Sequence, residues 1–120
     1  MSKSPARPAR RLFLVFLLTL ASAALLAQGA MALSVSLYRY YNPGNGDHFY
    51  STDFYEASAG FSFEWVQGYV YTYNYTGSLV PLYRYYNSGT SKYFYTTNYN
   101  ELGGGAQGFA YQKIAAWVNP

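Results

Sequence analysis

From residue 37 onward, side-chain character alternates with the period of two that marks extended chain. Leu37, Arg39 and Tyr41 fall on one face of such a strand, Tyr38 and Tyr40 on the other. Asn42-Pro43-Gly44-Asn45-Gly46-Asp47 is dense in turn residues, and its Asn-Gly step suits positive φ angles. Residues 48–52 return as a second strand and complete a hairpin. Asp53, followed three residues later by Glu56, has capping-box spacing and predicts a helix start. Gly60 stops that helix after a turn or two. Residues 61–65 and 66–73 then read as further strands, and 74–78 as a turn.

The whole pattern is written twice. Leu37-Tyr38-Arg39-Tyr40-Tyr41-Asn42 recurs letter for letter as Leu82-Tyr83-Arg84-Tyr85-Tyr86-Asn87, at an offset of 45. Gly44 and Gly89, Phe49-Tyr50 and Phe94-Tyr95, Thr52 and Thr97, and Glu56 and Glu101 keep that offset. Beyond the glutamates the offset becomes 48, pairing Gly60-Phe61 with Gly108-Phe109 and Tyr69-Val70 with Trp117-Val118. The three extra residues fall in or near Gly103-Gly104-Gly105, where a loop absorbs them at little cost. Asn98 and Glu101 repeat the helix-start spacing. Self-similarity at such a period marks a repeat architecture. The pattern predicts a mainly β protein: two tandem repeats over 33–78 and 79–120, packed as one compact domain. Each repeat has about four short strands and one short helical turn. An incomplete β-trefoil-like arrangement is the candidate architecture.

Ahead of the repeats, residues 1–32 read as an export signal. Lys3, Arg7, Arg10 and Arg11 form a basic head, an apolar run follows over 12–27, and Ala30-Met31-Ala32 places cleavage after Ala32. A secreted or periplasmic location follows, with the membrane met only through this segment. The leader also changes the charge argument. The full chain carries +3, but four of its eight basic residues lie in the leader and all five acidic ones lie beyond it. The remainder is at −1, with no basic face for phosphates, and nucleic acid is excluded as a partner.

Cysteine is absent, so no disulfide supports this small exported domain. Aliphatic residues are few, whereas all sixteen tyrosines, six phenylalanines and both tryptophans lie in the repeats. The core is therefore expected to be aromatic, with several rings left facing solvent.

Val80-Pro81-Leu82-Tyr83-Arg84-Tyr85-Tyr86-Asn87, Gly46-Asp47-His48-Phe49-Tyr50-Ser51-Thr52, and Glu101-Leu102-Gly103 with Gly108-Phe109 resemble a family of tandem secreted repeats of unknown function. That family is found, among other places, behind the catalytic domains of some bacterial cell-wall hydrolases. The resemblance covers essentially the whole chain beyond the leader. It implies an extracellular accessory or binding role toward cell-wall glycans and no catalysis. The chain departs from the pattern at Lys92-Tyr93, where the first copy has Asp47-His48. It departs again at Glu64-Trp65 and Gln112-Lys113, where the family has Glu-Gly.

Arg39 and Arg84 are the basic residues present in both copies, Glu56 and Glu101 the acidic ones. An arginine–glutamate pair inside each repeat is the expected use, with the arginine stacked on a tyrosine. His48 and Asp47 are neighbours on a strand and point to opposite faces, so a strand-end histidine beside a turn outweighs a catalytic pair. One imidazole and no thiol give no metal site, and no cofactor motif is present. Of the carboxylates, two are assigned to helix starts and Asp53 to a cap, and Glu64 remains, with Gln112 at its place in the other copy. An acid/base pair for glycan hydrolysis is therefore disfavoured. Tyr69, Tyr71, Tyr73 and Tyr75 fall on one face of an extended stretch, and with Asn74 they suit either packing or a sugar platform. The candidate binding set is Tyr69, Tyr71, Tyr73, Asn74, Asp47, His48 and Trp117. The expected function is a non-enzymatic, exported binding module for a carbohydrate or cell-surface polymer. The alternative is a structural or self-associating tyrosine-rich protein, and two copies of the chain as a homodimer fit either.

Overall fold

The computed structural model describes residues 34–120, and the leader expected over 1–32 lies outside the described residues. Along the described chain run β1 (Ser34–Asn42), β2 (Asp47–Ser51), β3 (Ser62–Tyr71), β4 (Val80–Asn87), β5 (Lys92–Thr96), α1 (Tyr99–Leu102), β6 (Gly105–Ala106) and β7 (Phe109–Val118). All strand pairs are antiparallel. They form one sheet of order β2-β1-β3-β7-β4-β5, with β6 added to β7. The mainly β expectation holds.

The repeated hexapeptide forms β1 in one half and β4 in the other. β1 pairs β2 from Tyr38↔Ser51 to Asn42↔Asp47, and β4 pairs β5 from Tyr83↔Thr96 to Asn87↔Lys92, the same register 45 residues on. The other edge of each hexapeptide strand takes the last strand of its own half, β3 for β1 and β7 for β4. Each half is thus built on three strands, with the short β6 as a fourth in the second half, and the two meet where Tyr71 faces Trp117.

Three expectations need correction. The strands foreseen at 61–65 and 66–73 are one strand, β3, because two β-bulges absorb the irregularity without breaking the ladder. Both helix starts were expected to lead into a helical turn, and only the second does. Asn98 caps α1 by accepting from the Asn100 N–H at 3.1 Å. At the first, Asp53 Oδ1 accepts from the Tyr55 N–H, but the chain stays a turn, and Glu56 reaches into the other unit. A trefoil-like arrangement is not adopted either. The described residues form a single sheet of two units, and its edge strands β2 and β5 are drawn together by side chains.

Each letter of the hexapeptide has a physical role. Leu37 packs with Val70 and Ala116, and Val35, Tyr50, Leu82 and Val118 flank this aliphatic core. The rings of Tyr38 and Tyr40 lie on the opposite face, against Phe54 and Phe63. Tyr83 and Tyr85 do the same against Tyr99 and Tyr111. Such ring pairs add about 0.5–1.5 kcal/mol each beyond their buried area. Tyr40 and Tyr85 are buried, and their hydroxyls donate to the carbonyls of Phe54 and Gly103, tying down the loop that follows each hairpin. Asn42 and Asn87 accept from the N–H groups of Gly44 and Gly89 and shape the turns. Gly108 has φ +86°, and a Cβ there would lie 2.8 Å from Asn87 Nδ2, so the glycine lets the chain pass the asparagine.

The two edge strands meet through side chains. Tyr95 Oη accepts from the Tyr50 N–H at 2.9 Å and donates to the Tyr50 carbonyl at 3.0 Å. Buried Asp47 accepts from the Tyr93 N–H at 2.9 Å. One tyrosine hydroxyl and one carboxylate thereby satisfy edge groups that would otherwise invite another strand.

Candidate functional site

The two bulges of β3 decide what surrounds Arg39. Leu37 faces Gly68 and Tyr38 faces Val66, which leaves Gln67 as an extra residue. Arg39 faces Trp65 and Tyr40 faces Phe63, which leaves Glu64 as the other. A bulge re-aims its extra side chain, and both side chains here turn onto their neighbours. Arg39 Nε donates to Glu64 Oε1 at 2.9 Å, and Trp65 Nε1 donates to Gln67 Oε1 at 3.2 Å. The Arg39 guanidinium lies 4.7 Å from the Trp65 ring centre and 6.0 Å from that of Tyr50.

Arg39 Nη2 also sits 2.8 Å from His48 Nε2. Arginine only donates, so His48 Nε2 is the acceptor in this contact. The imidazole leans on Tyr41, ring centres 5.1 Å apart, and its Nε2 is 3.6 Å from Glu64 Oε1. Arg39, Glu64 and His48 are each partly exposed, and Trp65 is 50% exposed. The result is a half-open indole edged by fixed donors and acceptors.

The second unit repeats the frame and fills it differently. The bulges of β7 leave Ala115 and Gln112 as extra residues, and Lys113 stands where Trp65 does. Arg84 Nε donates to Gln112 Oε1 at 2.9 Å, matching the Arg39–Glu64 contact. Arg84 Nη2 donates to Glu56 Oε2, also at 2.9 Å, across the two units. Ser51 Oγ donates to the other Glu56 oxygen at 2.5 Å. Phe49 and Tyr93 cover the guanidinium at 5.1 and 5.8 Å, and Arg84 is only 7% exposed. Burial disfavours the charge of Glu56, but hydrogen bonds from Arg84 and Ser51 and the guanidinium charge outweigh it and hold the carboxyl below its ordinary pKa. Burial likewise works against the charge of Arg84, and Glu56 more than offsets it.

The arginine–glutamate pairs expected inside each repeat are therefore rearranged. Arg39 pairs with Glu64, Arg84 with Glu56 of the other repeat, and Glu101 accepts from Thr96 Oγ1 at 2.6 Å. The bulge residues reach each arginine first, and the contact between β2 and β5 brings Glu56 to Arg84.

Of the predicted binding residues, the structure brings only His48 into this site. Asp47 is buried on the Tyr93 N–H. β3 ends at Tyr71, so Tyr73 and Asn74 lie in the following turn and the single tyrosine face is not formed. Tyr75 folds back on Tyr71 and Tyr73, with ring centres 5.0 and 6.2 Å apart, and Asn74 Oδ1 accepts from the Leu79 N–H. Trp117 is half-buried at the junction with Tyr71. Tyr69 is 73% exposed on the opposite face, beyond Val66 and Phe63. Trp65 and Gln67 were not foreseen as site residues. Trp65 could have been singled out as the residue that replaces the glycine of the Glu-Gly pattern.

Among the described residues no group of three or more His, Cys, Asp or Glu is placed to hold a metal ion. No described helix is long and apolar enough to cross a membrane. The arrangement around Trp65 offers a flat apolar surface with a guanidinium, a carboxylate, an imidazole and an amide at its rim. That combination suits an apolar-faced ligand with a hydroxylated edge.

A family model described as a domain of unknown function, DUF5648, matches residues 21–119, and the chain belongs to that family. No curated protein matches the chain, and no solved structure does.

Proposed function

We propose that this member of the DUF5648 family is an exported, non-catalytic module that binds a carbohydrate of a cell surface or cell wall, and that Trp65 is its platform. The observation that carries the reading is the half-exposed indole held between Arg39 and Gln67, with Glu64 and His48 alongside. A pyranose ring has an apolar C–H face that stacks on an aromatic ring and hydroxyls that both donate and accept. The site supplies both kinds of partner, already fixed to one another, so little side-chain freedom is lost on binding.

The reading as a binder rather than a hydrolase has its own support. Glycoside hydrolysis uses two carboxyl groups flanking the scissile bond. Glu64 stands at the site bonded to Arg39, while Asp47, Asp53, Glu56 and Glu101 are held in contacts elsewhere. Retention of the full chain on insoluble chitin and on cell-wall sacculi tests the proposal. Trp65→Ala is expected to weaken retention at least about tenfold, a loss of ~1.4 kcal/mol, with its circular dichroism unchanged. Retention equal to that of the native chain removes the proposal.

A further inference from the structure

Resting on the saccharide reading of the Trp65 face, we infer that the duplicated chain carries one saccharide site rather than two, and that this site takes uncharged sugars in preference to acidic ones. The two halves place an arginine in the same frame and differ around it at His48, which is Tyr93 in the second unit, and at three positions of the last strand. Where the first unit has Glu64, Trp65 and Gln67, the second has Gln112, Lys113 and Ala115. The second unit thus lacks both the indole platform and the amide that holds it. Its arginine is also closed off, covered by Phe49 and Tyr93 and bonded to Glu56.

Charge decides the ligand class. In the first unit the guanidinium is neutralised from within by Glu64 at 2.9 Å, and its Nη2 also contacts His48 Nε2. Nothing in that arrangement calls for an anion. In the second unit the bulge residue is the neutral Gln112, and Arg84 instead takes a carboxylate from outside its own repeat. The pair of sites is an internal comparison: glutamate at the bulge satisfies the arginine, whereas glutamine leaves it to recruit an external carboxylate. A uronic acid brought to Arg39 would meet Glu64 already in place, and like charges repel.

Glu64→Gln converts the first unit to the second unit's bulge residue and keeps an acceptor for Arg39 Nε, as Gln112 does for Arg84. The experiment is calorimetric titration of the full chain with chitohexaose, cellohexaose and xylohexaose as neutral probes and hexagalacturonate as the acidic one. The native chain is expected to bind at least one neutral probe with one equivalent per chain, and hexagalacturonate at least about tenfold more weakly. Glu64→Gln is expected to raise the ratio of hexagalacturonate to neutral-probe affinity about tenfold, in a salt-sensitive way. Two equivalents per chain overturn the inference, as do stronger binding of hexagalacturonate by the native chain or no gain in Glu64→Gln. In each of those cases a loss of binding in Trp65→Ala leaves the saccharide reading standing. Binding by none of the probes removes both.

Discussion

Arg84 is 7% exposed and bonded to a carboxylate from the other unit, whereas Arg39 is partly open and bonded to its own strand neighbour. Removing one partner of a buried ion pair strands the other, which costs about 3–5 kcal/mol. An exposed pair is worth about 0–1 kcal/mol, because water screens it. Arg84→Ala is therefore expected to lower unfolding free energy in urea by about 3 kcal/mol, and Arg39→Ala by about 1 kcal/mol. Equal losses would show that the two arginines have the same structural weight. The repetition of arginine and glutamate was legible in the chain, but the expected pair inside each repeat is not formed as foreseen: Arg39 takes the unrepeated Glu64, and Glu101 accepts from Thr96. Which glutamate meets which arginine was not legible. Glu64 reaches Arg39 only because it is an extra residue of a bulge, and bulges depend on how two distant strands count against each other. Glu56 reaches Arg84 only through the packing of the two units, which no local spacing encodes.

Among the elements, the two hairpins were the most readable parts. Alternation, a turn rich in glycine and asparagine, and a second alternating run gave β1–β2 and β4–β5 in the right places. The long strand β3 was harder, since its bulges blur the period of two and make one strand look like two. The stretch holding Tyr69, Tyr71 and Tyr73 misled for a related reason: alternation was extended past Tyr71, where the strand in fact stops. The contact between the edge strands was not legible at all, as it rests on one hydroxyl serving both the N–H and the carbonyl of Tyr50 and on Asp47 reaching the Tyr93 N–H. Burial raises the pKa of the Tyr95 phenol above its ordinary value, so the hydroxyl keeps its proton for the Tyr50 carbonyl into more alkaline solution than a free tyrosine would. Tyr95→Phe removes both bonds while keeping the ring. It is expected to cost about 1 kcal/mol in thermal or urea unfolding, since it leaves part-buried polar groups of Tyr50 without their partner. A variant as stable as the native chain would show that water replaces the hydroxyl without loss.

For the molecule as a whole, duplication has built a sheet in which one copy supports and the other presents. The second unit buries its arginine and lends the fold an ion pair across the two halves, and the first keeps its arginine beside an open indole. A domain without cysteine and with few aliphatic residues obtains its cohesion from stacked rings and tyrosine hydroxyls bonded to carbonyls. The two tryptophans stand on either side of this division: Trp65 faces solvent at the site, and Trp117 is half-buried where the units join. Their indole N–H signals in a nitrogen-15 correlation spectrum give the most direct test. On titration with chitohexaose, the Trp65 indole signal is expected to move with saturation while that of Trp117 stays in place. Movement of the Trp117 signal with Trp65 unmoved would contradict a site centred on Trp65.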